Sequence, residues 1–412
     1  MKRPKIVIIG GGFGGVETFR RLHRFIHKRR ADVTLVDKNN YFLFTPMLHE
    51  VATGSISRTH LTQPLRQMIH CCQERFVRAT VKKIDRTRRA VVTDNGELPY
   101  DYCVVAAGSR SYEFGVPGVS AHAYPLKTLQ DCSRIRNRVV HCFEEAGKCS
   151  VKTRRCELLH FIIVGGGPTG VEMAGQLGQL IEREMRALYP QVNFRETMVT
   201  IVESGEKVLS RHSDYFGIHA MRKLKQLGVQ TVTNTRVVKV EENRVMLKSG
   251  HHLSGCTVIW TSGVRSNADQ IFRKDELDES MRVKVKEFLH MVDDKRVYAV
   301  GDCANIADPS LGFVPQTAQA ATQAAITVAA NLKRAVLGKP LKPYRYFSKG
   351  DLVPIGDWFA VAQLGPVRFK GRIAWWVRRT VFLATMYSWS DRLRIVLDWT
   401  LNIFTYRDTS EL

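Results

Sequence analysis

The stretch "FIIVGGGPTGVE", residues 161–172, decides the fold: a short apolar run enters a glycine turn and leaves it as a helix-forming sequence. It is the second of its kind, because "IVIIGGGFGG" already occupies residues 6–15. Gly10, Gly12 and Gly15 fit G-x-G-x-x-G directly after an apolar strand, and "VTLVD" ends in Asp37, 22 residues beyond Gly15. Each part has a physical purpose. The glycines make a tight turn and let the backbone come close enough to touch a pyrophosphate. The amides at the helix start favour the negative charge, and the acid accepts hydrogen bonds from a ribose 2′-hydroxyl. Gly165, Gly167 and Gly170 repeat the arrangement, with Glu203 closing "VTIVE". Glu203 follows Gly170 by 33 residues, where roughly 20 is usual, and "IEREMRALYPQVNF" accounts for the excess as a longer helix and loop.

Two cradles imply two dinucleotides. One would hold a flavin dinucleotide and the other a nicotinamide nucleotide, since hydride transfer from NADH needs an acceptor ring in contact with it. A carboxylate at position 203 repels a 2′-phosphate, so NADH is expected over NADPH, although Arg211 is close by in sequence.

Around these loops, Val/Ile runs at 6–9, 33–36, 102–106, 161–164, 199–202, 257–261 and 297–300 alternate with helix-length patterns. That alternation predicts an α/β fold with parallel sheets covered by helices. A chain of 412 residues, 44% hydrophobic, has material for two or three cores and is neither disordered nor fibrous in composition. Breaker clusters at 108–122 and 338–344 divide it. The expected order is a first flavin segment (1–115), a nicotinamide domain (116–280), a second flavin segment (281–343) and a tail (344–412). Nine cysteines, at 71, 72, 103, 132, 142, 149, 156, 256 and 303, form neither a CxxC nor a metal-ligand pattern, which suits a reduced compartment and no metal. "MKRPKIVIIGGG" reads as a first strand, its apolar run being too short for a secretion signal. No window reaches about 18 uninterrupted apolar residues, so any membrane contact is expected to be peripheral. The excess of 62 Lys and Arg over 39 Asp and Glu, +23 at pH 7, favours a polyanionic partner, nucleic acid or an anionic lipid surface.

The tail favours lipid. On a helical wheel of residues 390–405, Asp391, Arg394, Asp398, Asn402 and Thr405 gather in one stripe. Leu393, Val396, Leu397, Trp399, Ile403 and Phe404 fill a broad apolar arc. Upstream, Lys370, Arg372, Arg378 and Arg379 interleave with Trp375, Trp376 and Trp389, as in a helix lying in a bilayer interface. The alternative is that both segments pack on the globular core or on a second subunit.

"VYAVGDCANIAD" carries Gly301 and Asp302, and "VVAAGS" carries Ala106, Ala107 and Gly108. With the two loops, these segments resemble the two-dinucleotide-binding flavoproteins that include the disulfide reductases. "YFLFTPMLHEVATGSIS", "VPQTAQAATQAA", "GGGPTGVE" and the tail together resemble the type II NADH:quinone oxidoreductases over nearly the whole chain. The resemblance implies two Rossmann-like domains, the FAD domain discontinuous with the NAD domain inserted, plus a C-terminal amphipathic helical docking region. It places FAD on Gly10, Gly12, Phe13, Gly14, Gly15, Asp37, Lys38, Thr45, Ala107, Gly108, Asp302, Ala318 and Gln319. NADH falls on Gly165, Gly167, Pro168, Thr169, Gly170, Glu172, Glu203 and Gly263. Gln319 and Gln323 would face a membrane quinone, with Glu172 a proton carrier beside it. The implied enzyme passes a hydride from NADH to FAD and two electrons to quinone without pumping protons. It would be a homodimer, peripheral on the cytoplasmic face of the cell membrane.

Plainer readings stand beside these. Gln319 and Gln323 are four apart and could be a solvated stripe, and Glu172 could simply favour a helix dipole. Pro315 is expected in the first turn of a helix, where its missing amide hydrogen is harmless. A disulfide reductase would need a C-x4-C dithiol that is missing. A sulfide:quinone oxidoreductase could use Cys156, with Cys149 as a further redox candidate, yet no cysteine follows Cys303. A basic flavoprotein that binds nucleic acid or senses redox state would need a recognisable binding module, and none is present.

Overall fold

The computed structural model describes residues 3–69 and 75–411, so Cys71 and Cys72 lie outside the described residues. The chain forms two compact units, one of Met1–Leu43, Thr62–Arg110 and Val264–Phe347, the other of Phe44–Leu61, Ser111–Gly263 and Ser348–Leu412.

In the first unit a five-stranded sheet runs in the order Val297–Ala299, Tyr102–Val105, Lys5–Ile9, Asp32–Asp37, Arg75–Arg78, every pair parallel. Ile6, Val7, Ile8, Val104 and Val105 are all buried, the pattern of a parallel sheet covered on both faces. The helix Phe13–His27 packs against Ala318–Val336. Ala320, Ala321, Ala324, Ala325 and Ala329 on the latter are small enough to bring the two backbones close.

The second unit repeats the plan. Its parallel sheet runs Ala123–Pro125, Thr257–Trp260, His160–Val164, Met198–Val202, Val229–Val232. In each sheet the strand feeding the glycine loop is third in order and the strand before the acid is fourth. In each, a three-stranded antiparallel meander follows the edge strand: Val81–Asp85, Ala90–Thr93, Gly96–Pro99 in the first, Val237–Glu241, Arg244–Leu247, His252–Ser254 in the second. The seven strands expected from the sequence are all present, and so is the internal duplication. The helix Pro168–Leu180 continues through Ile181–Met185 and Arg186–Leu188, which is how Glu203 comes to sit so far from its loop.

Pro315 corrects one expectation. The helix starts at Ala318, with Thr317 as its cap: the Thr317 hydroxyl accepts the Ala320 amide at 3.2 Å, and the Pro315 carbonyl accepts the Thr317 amide at 3.0 Å. A hydroxyl that satisfies a free helix amide outcompetes a proline that merely lacks one.

The tail folds into three antiparallel strands, Asp351–Pro354, Ala360–Leu364 and Val367–Gly371, followed by helices Arg372–Thr385 and Trp389–Phe404. Among the described residues no helix is long and apolar enough to cross a membrane. The last helix turns part of its polar stripe inward, Asp391, Asp398 and Asn402, while Arg394 and Thr405 stay exposed. Asp398 lies 2.5 Å from His60 Nδ1, and Asn402 donates to the Ser55 carbonyl at 2.7 Å. Leu393, Val396, Leu397, Leu401, Ile403 and Phe404 point outward, Phe404 being 82% exposed. Trp399 departs from the apolar arc and is buried. Arg378 and Arg379 also depart from an interfacial role: Arg378 is buried in an ion pair with Glu50, and Arg379 lies between the rings of Trp375 and Trp399, 3.6 and 3.9 Å from their centroids.

Candidate functional site

The two loops have nearly the same geometry. Gly10 and Gly165 take φ of +105° and +110°, a conformation open mainly to glycine. A Cβ on Gly15 would stand 1.8 Å from the Gly10 carbonyl oxygen, and one on Gly170 would stand 1.9 Å from that of Gly165. The middle glycines differ: a Cβ on Gly12 or Gly167 would meet nothing within 4 Å. These exposed positions cap the helices that begin at Phe13 and Pro168 and supply no side-chain cap. The chain thus leaves space at the two helix starts, where first-turn amides favour the negative charge of a pyrophosphate.

Each acid fastens its own loop. Asp37 accepts the Gly11 and Asn39 amides, both at 2.6 Å, and Glu203 accepts the Gly166 and Gly205 amides at 2.6 and 2.7 Å. A carboxylate oxygen has a second lone pair, so both acids can still receive a ribose hydroxyl. Burial raises the Asp37 pKa against the pull of those two amides and of Lys38.

The other flavin candidates of the first unit surround the same strand ends. Asp302 accepts from the Ser109 hydroxyl at 2.6 Å, and Asn267 bonds the carbonyls of Ala107 and Gly108 at 2.9 and 3.0 Å. Phe13 packs edge-on against Phe42, Gly14 touches Val300, and the Lys38 carbonyl accepts from Arg78. Ala318 opens its helix. Gln319 donates to the Tyr346 hydroxyl at 3.1 Å, and Gln323 makes paired bonds with the Phe347 backbone at 2.8 and 3.1 Å. In the second unit Thr45 begins a single turn, Pro168 and Thr169 are exposed at the loop, and Gly263, at φ +76°, lies against Phe114.

Glu172 heads a buried cluster, all of it in the second unit. His49 Nδ1 lies 3.3 Å from Glu172 Oε2, and its Nε2 faces the Arg378 guanidinium at 3.4 Å. Arg378 donates to Glu50 Oε1 at 2.8 Å, and Trp399 Nε1 donates to Glu50 Oε2 at 2.9 Å. The two carboxyls are driven apart. Burial raises Glu172 to about 8, with Arg378 opposing and Glu50 assisting. Burial would raise Glu50 too, but Arg378, His49 and Arg379 outweigh it and hold the pKa at about 2. His49 is lowered to about 3 by burial and Arg378. At neutral pH the arrangement is a charged Glu50, a neutral imidazole and a protonated Glu172 whose side chain keeps 13% of its surface open. The sequence singles out Glu172 as a candidate, assigns Arg378 and Trp399 to the docking region, and passes over His49 and Glu50. The available signal was two adjacent ionisable residues in the otherwise apolar "PMLHEVA".

A separate cleft of about 450 Å³ is lined by Lys152, Cys156, Glu157, His160, Asn193 and Arg195, among others. It lies where the strands His160–Val164 and Met198–Val202 begin, and nucleotides bind where parallel strands end. Cys303 is buried, and burial pushes its thiol to about 11.

Two parallel sheets, each with a glycine loop, an open helix start and an acid on the next strand, define a class: α/β oxidoreductases with two dinucleotide sites. Residues 4–325 match the family model described as pyridine nucleotide-disulphide oxidoreductase. The chain belongs to that family, and within it to the type II NADH:quinone oxidoreductases. It is 31% identical to the type II NADH:quinone oxidoreductase Ndh of Mycobacterium tuberculosis, with 98% of this chain and 89% of that one covered. It is 29% identical to the corresponding protein of Haemophilus influenzae, with 90% of each covered. The structure of NDH2 from Plasmodium falciparum in complex with NADH superposes with a TM-score of 0.91 over 99% of this chain and 100% of that one, at 21% identity, which is a likeness of fold.

Proposed function

We propose that the chain oxidises NADH and reduces a membrane quinone by way of bound FAD. The observation that carries this reading is the duplicated cradle, two loops alike in backbone, open space and acid, in a chain of this family. FAD supplies the two-electron chemistry, accepting hydride and passing electrons on, and the chain's own residues bind, orient and deliver protons. Gly10, Gly12, Phe13, Gly14 and Gly15 with Asp37 and Lys38 would grip one dinucleotide, helped by Thr45, Ala107, Gly108, Asp302, Ala318 and Gln319. Gly165, Gly167, Pro168, Thr169, Gly170, Glu172, Glu203 and Gly263 would hold NADH, the Glu203 carboxylate disfavouring a 2′-phosphate. The flavin portion would comprise 1–115 and 281–343, the NADH portion 116–280, and the docking region 344–412. Glu172, protonated at neutral pH, would hand a proton to reduced quinone, with Gln319 and Gln323 lining its approach. Their bonds to Tyr346 and Phe347 would have to exchange for quinone contacts or hold that segment as its wall.

The outward apolar face of the last helix supports docking on an anionic bilayer, and since no helix among the described residues is long and apolar enough to cross a membrane, the proposed reaction runs without proton pumping. The cytoplasmic face and a homodimer complete the reading. Purified protein should be yellow, bleach on anaerobic addition of NADH, and recover its colour with a soluble quinone analogue. A colourless preparation that flavin cannot reconstitute, or equal rates with NADPH, would contradict it.

A further inference from the structure

We propose that His49 is a positioning residue for Glu172, presenting Nδ1–H to the Glu172 carboxyl because Arg378 claims the opposite nitrogen. The tautomer follows from the donors around the ring. Arg378 Nη2, 3.4 Å from Nε2, carries only hydrogens. Glu50 Oε1 also lies near Nε2, but at 3.7 Å it is beyond hydrogen-bond reach, so Nε2 offers its lone pair to Arg378 and the ring proton falls on Nδ1, 3.3 Å from Glu172 Oε2. The reverse arrangement, with Glu172 donating to Nδ1, would set an imidazole N–H against the guanidinium hydrogens. Arg378 is itself fixed, bonded to Glu50, which Trp399 holds from its other oxygen. A chain of contacts thus runs from the last helix through Glu50, Arg378 and His49 to the carboxyl that releases the proton.

The charged groups facing this site come from several elements. Glu50 shares the helix Leu48–Ala52 with His49, and Arg378 and Arg379 come from Arg372–Thr385. From Leu129–Lys148, Cys132 donates to the Leu48 carbonyl at 3.3 Å, its thiol raised to about 12 by burial and so uncharged. Burial and Arg378 keep the imidazole neutral. His49 therefore supports the Glu172 carboxylate as an uncharged donor, bringing down a proton affinity that burial drives up.

The inference rests on Glu172 being the proton donor to quinone, and the test separates the two. Flavin already reduced by NADH is mixed with a soluble quinone analogue, and its reoxidation is followed from about pH 6 to 10. The parent should slow as Glu172 loses its proton. His49→Asn keeps an amide donor near the Nδ1 position and should follow the parent. His49→Gln carries its amide to the Nε2 position and should move the alkaline limb upward by about one unit, as should His49→Leu. Flavin absorbance and its bleaching by NADH verify each fold, and the polar pair decides the outcome if the leucine variant does not accumulate. In Glu172→Gln the limb should vanish. If it persists there, both the proton role of Glu172 and the inference built on it fall. If it vanishes there but stands unmoved in His49→Gln, the His49 inference alone is overturned.

Discussion

At the residue scale the glycine loops make a sharp distinction. Gly167 and Gly170 both satisfy the motif, but only Gly170 touches its own fold, where a Cβ would lie 1.9 Å from the Gly165 carbonyl oxygen. Gly170→Ala should therefore lower the melting temperature by several degrees, since a forced backbone shift costs about 1–3 kcal/mol. Gly167→Ala should melt like the parent yet bind NADH at least about tenfold more weakly, because its methyl fills the space left for pyrophosphate. Titration calorimetry and a thermal scan on both variants check this, and equal loss of stability in the two would refute it. These residues were legible in the sequence because their demands are local: a positive φ and a close approach five residues apart leave a fixed spacing. His49 and Glu50 were not legible. What makes them a site is Arg378, 328 residues beyond Glu50, and no local pattern announces a partner at that distance.

At the scale of elements, the Glu50–Arg378 pair joins the short helix Leu48–Ala52 to the tail helix Arg372–Thr385, with side chains 3% and 2% exposed. Removing one partner of a buried pair strands the other charge, at a cost of about 3–5 kcal/mol. Arg378→Met should lose about that much in urea unfolding, and Glu50→Gln combined with Arg378→Met should recover more than half of it. The sign of the pH effect follows from the direction of the shift. Glu50 has its folded pKa depressed to about 2 from 4.5, so its stabilisation is present above the unfolded value and is lost as pH falls toward 2. Glu50→Gln should show a flatter acid limb than the parent. The wheel of the last helix agrees with the structure for Asp391, Asp398 and Asn402 inside and Leu393, Val396, Leu397, Ile403 and Phe404 outside, and fails for Arg394, Thr405 and Trp399. It could not say which side faces the protein, since Asp398 and Asn402 are satisfied inside by His60 and by the Ser55 carbonyl, both distant in the chain. Trp399 reads as lipid-facing for the same reason, until Glu50 supplies a partner for its indole N–H.

At the scale of the whole molecule, the proposed docking would use the surplus charge and the outward face of the last helix together. On the proposed docking, a net +23 would draw the protein to an anionic surface over a Debye length of about 10 Å at 0.1 M salt, an attraction that weakens with salt. Leu401 and Phe404, 57% and 82% exposed, offer a contact that salt does not weaken. Each apolar side chain of this size contributes roughly 2 kcal/mol when taken out of water. Leu401→Asp with Phe404→Asp should leave the melting temperature within a few degrees of the parent, since neither side chain is buried in the fold. The same pair should lower sedimentation with anionic vesicles by about tenfold or more, and the remainder should disappear in high salt. If the face instead meets a second copy of the chain, the variant would change the elution volume in gel filtration and bind vesicles as the parent does. Unchanged vesicle binding together with unchanged elution would place the membrane contact on another surface, and the basic residues alone would then account for the attraction.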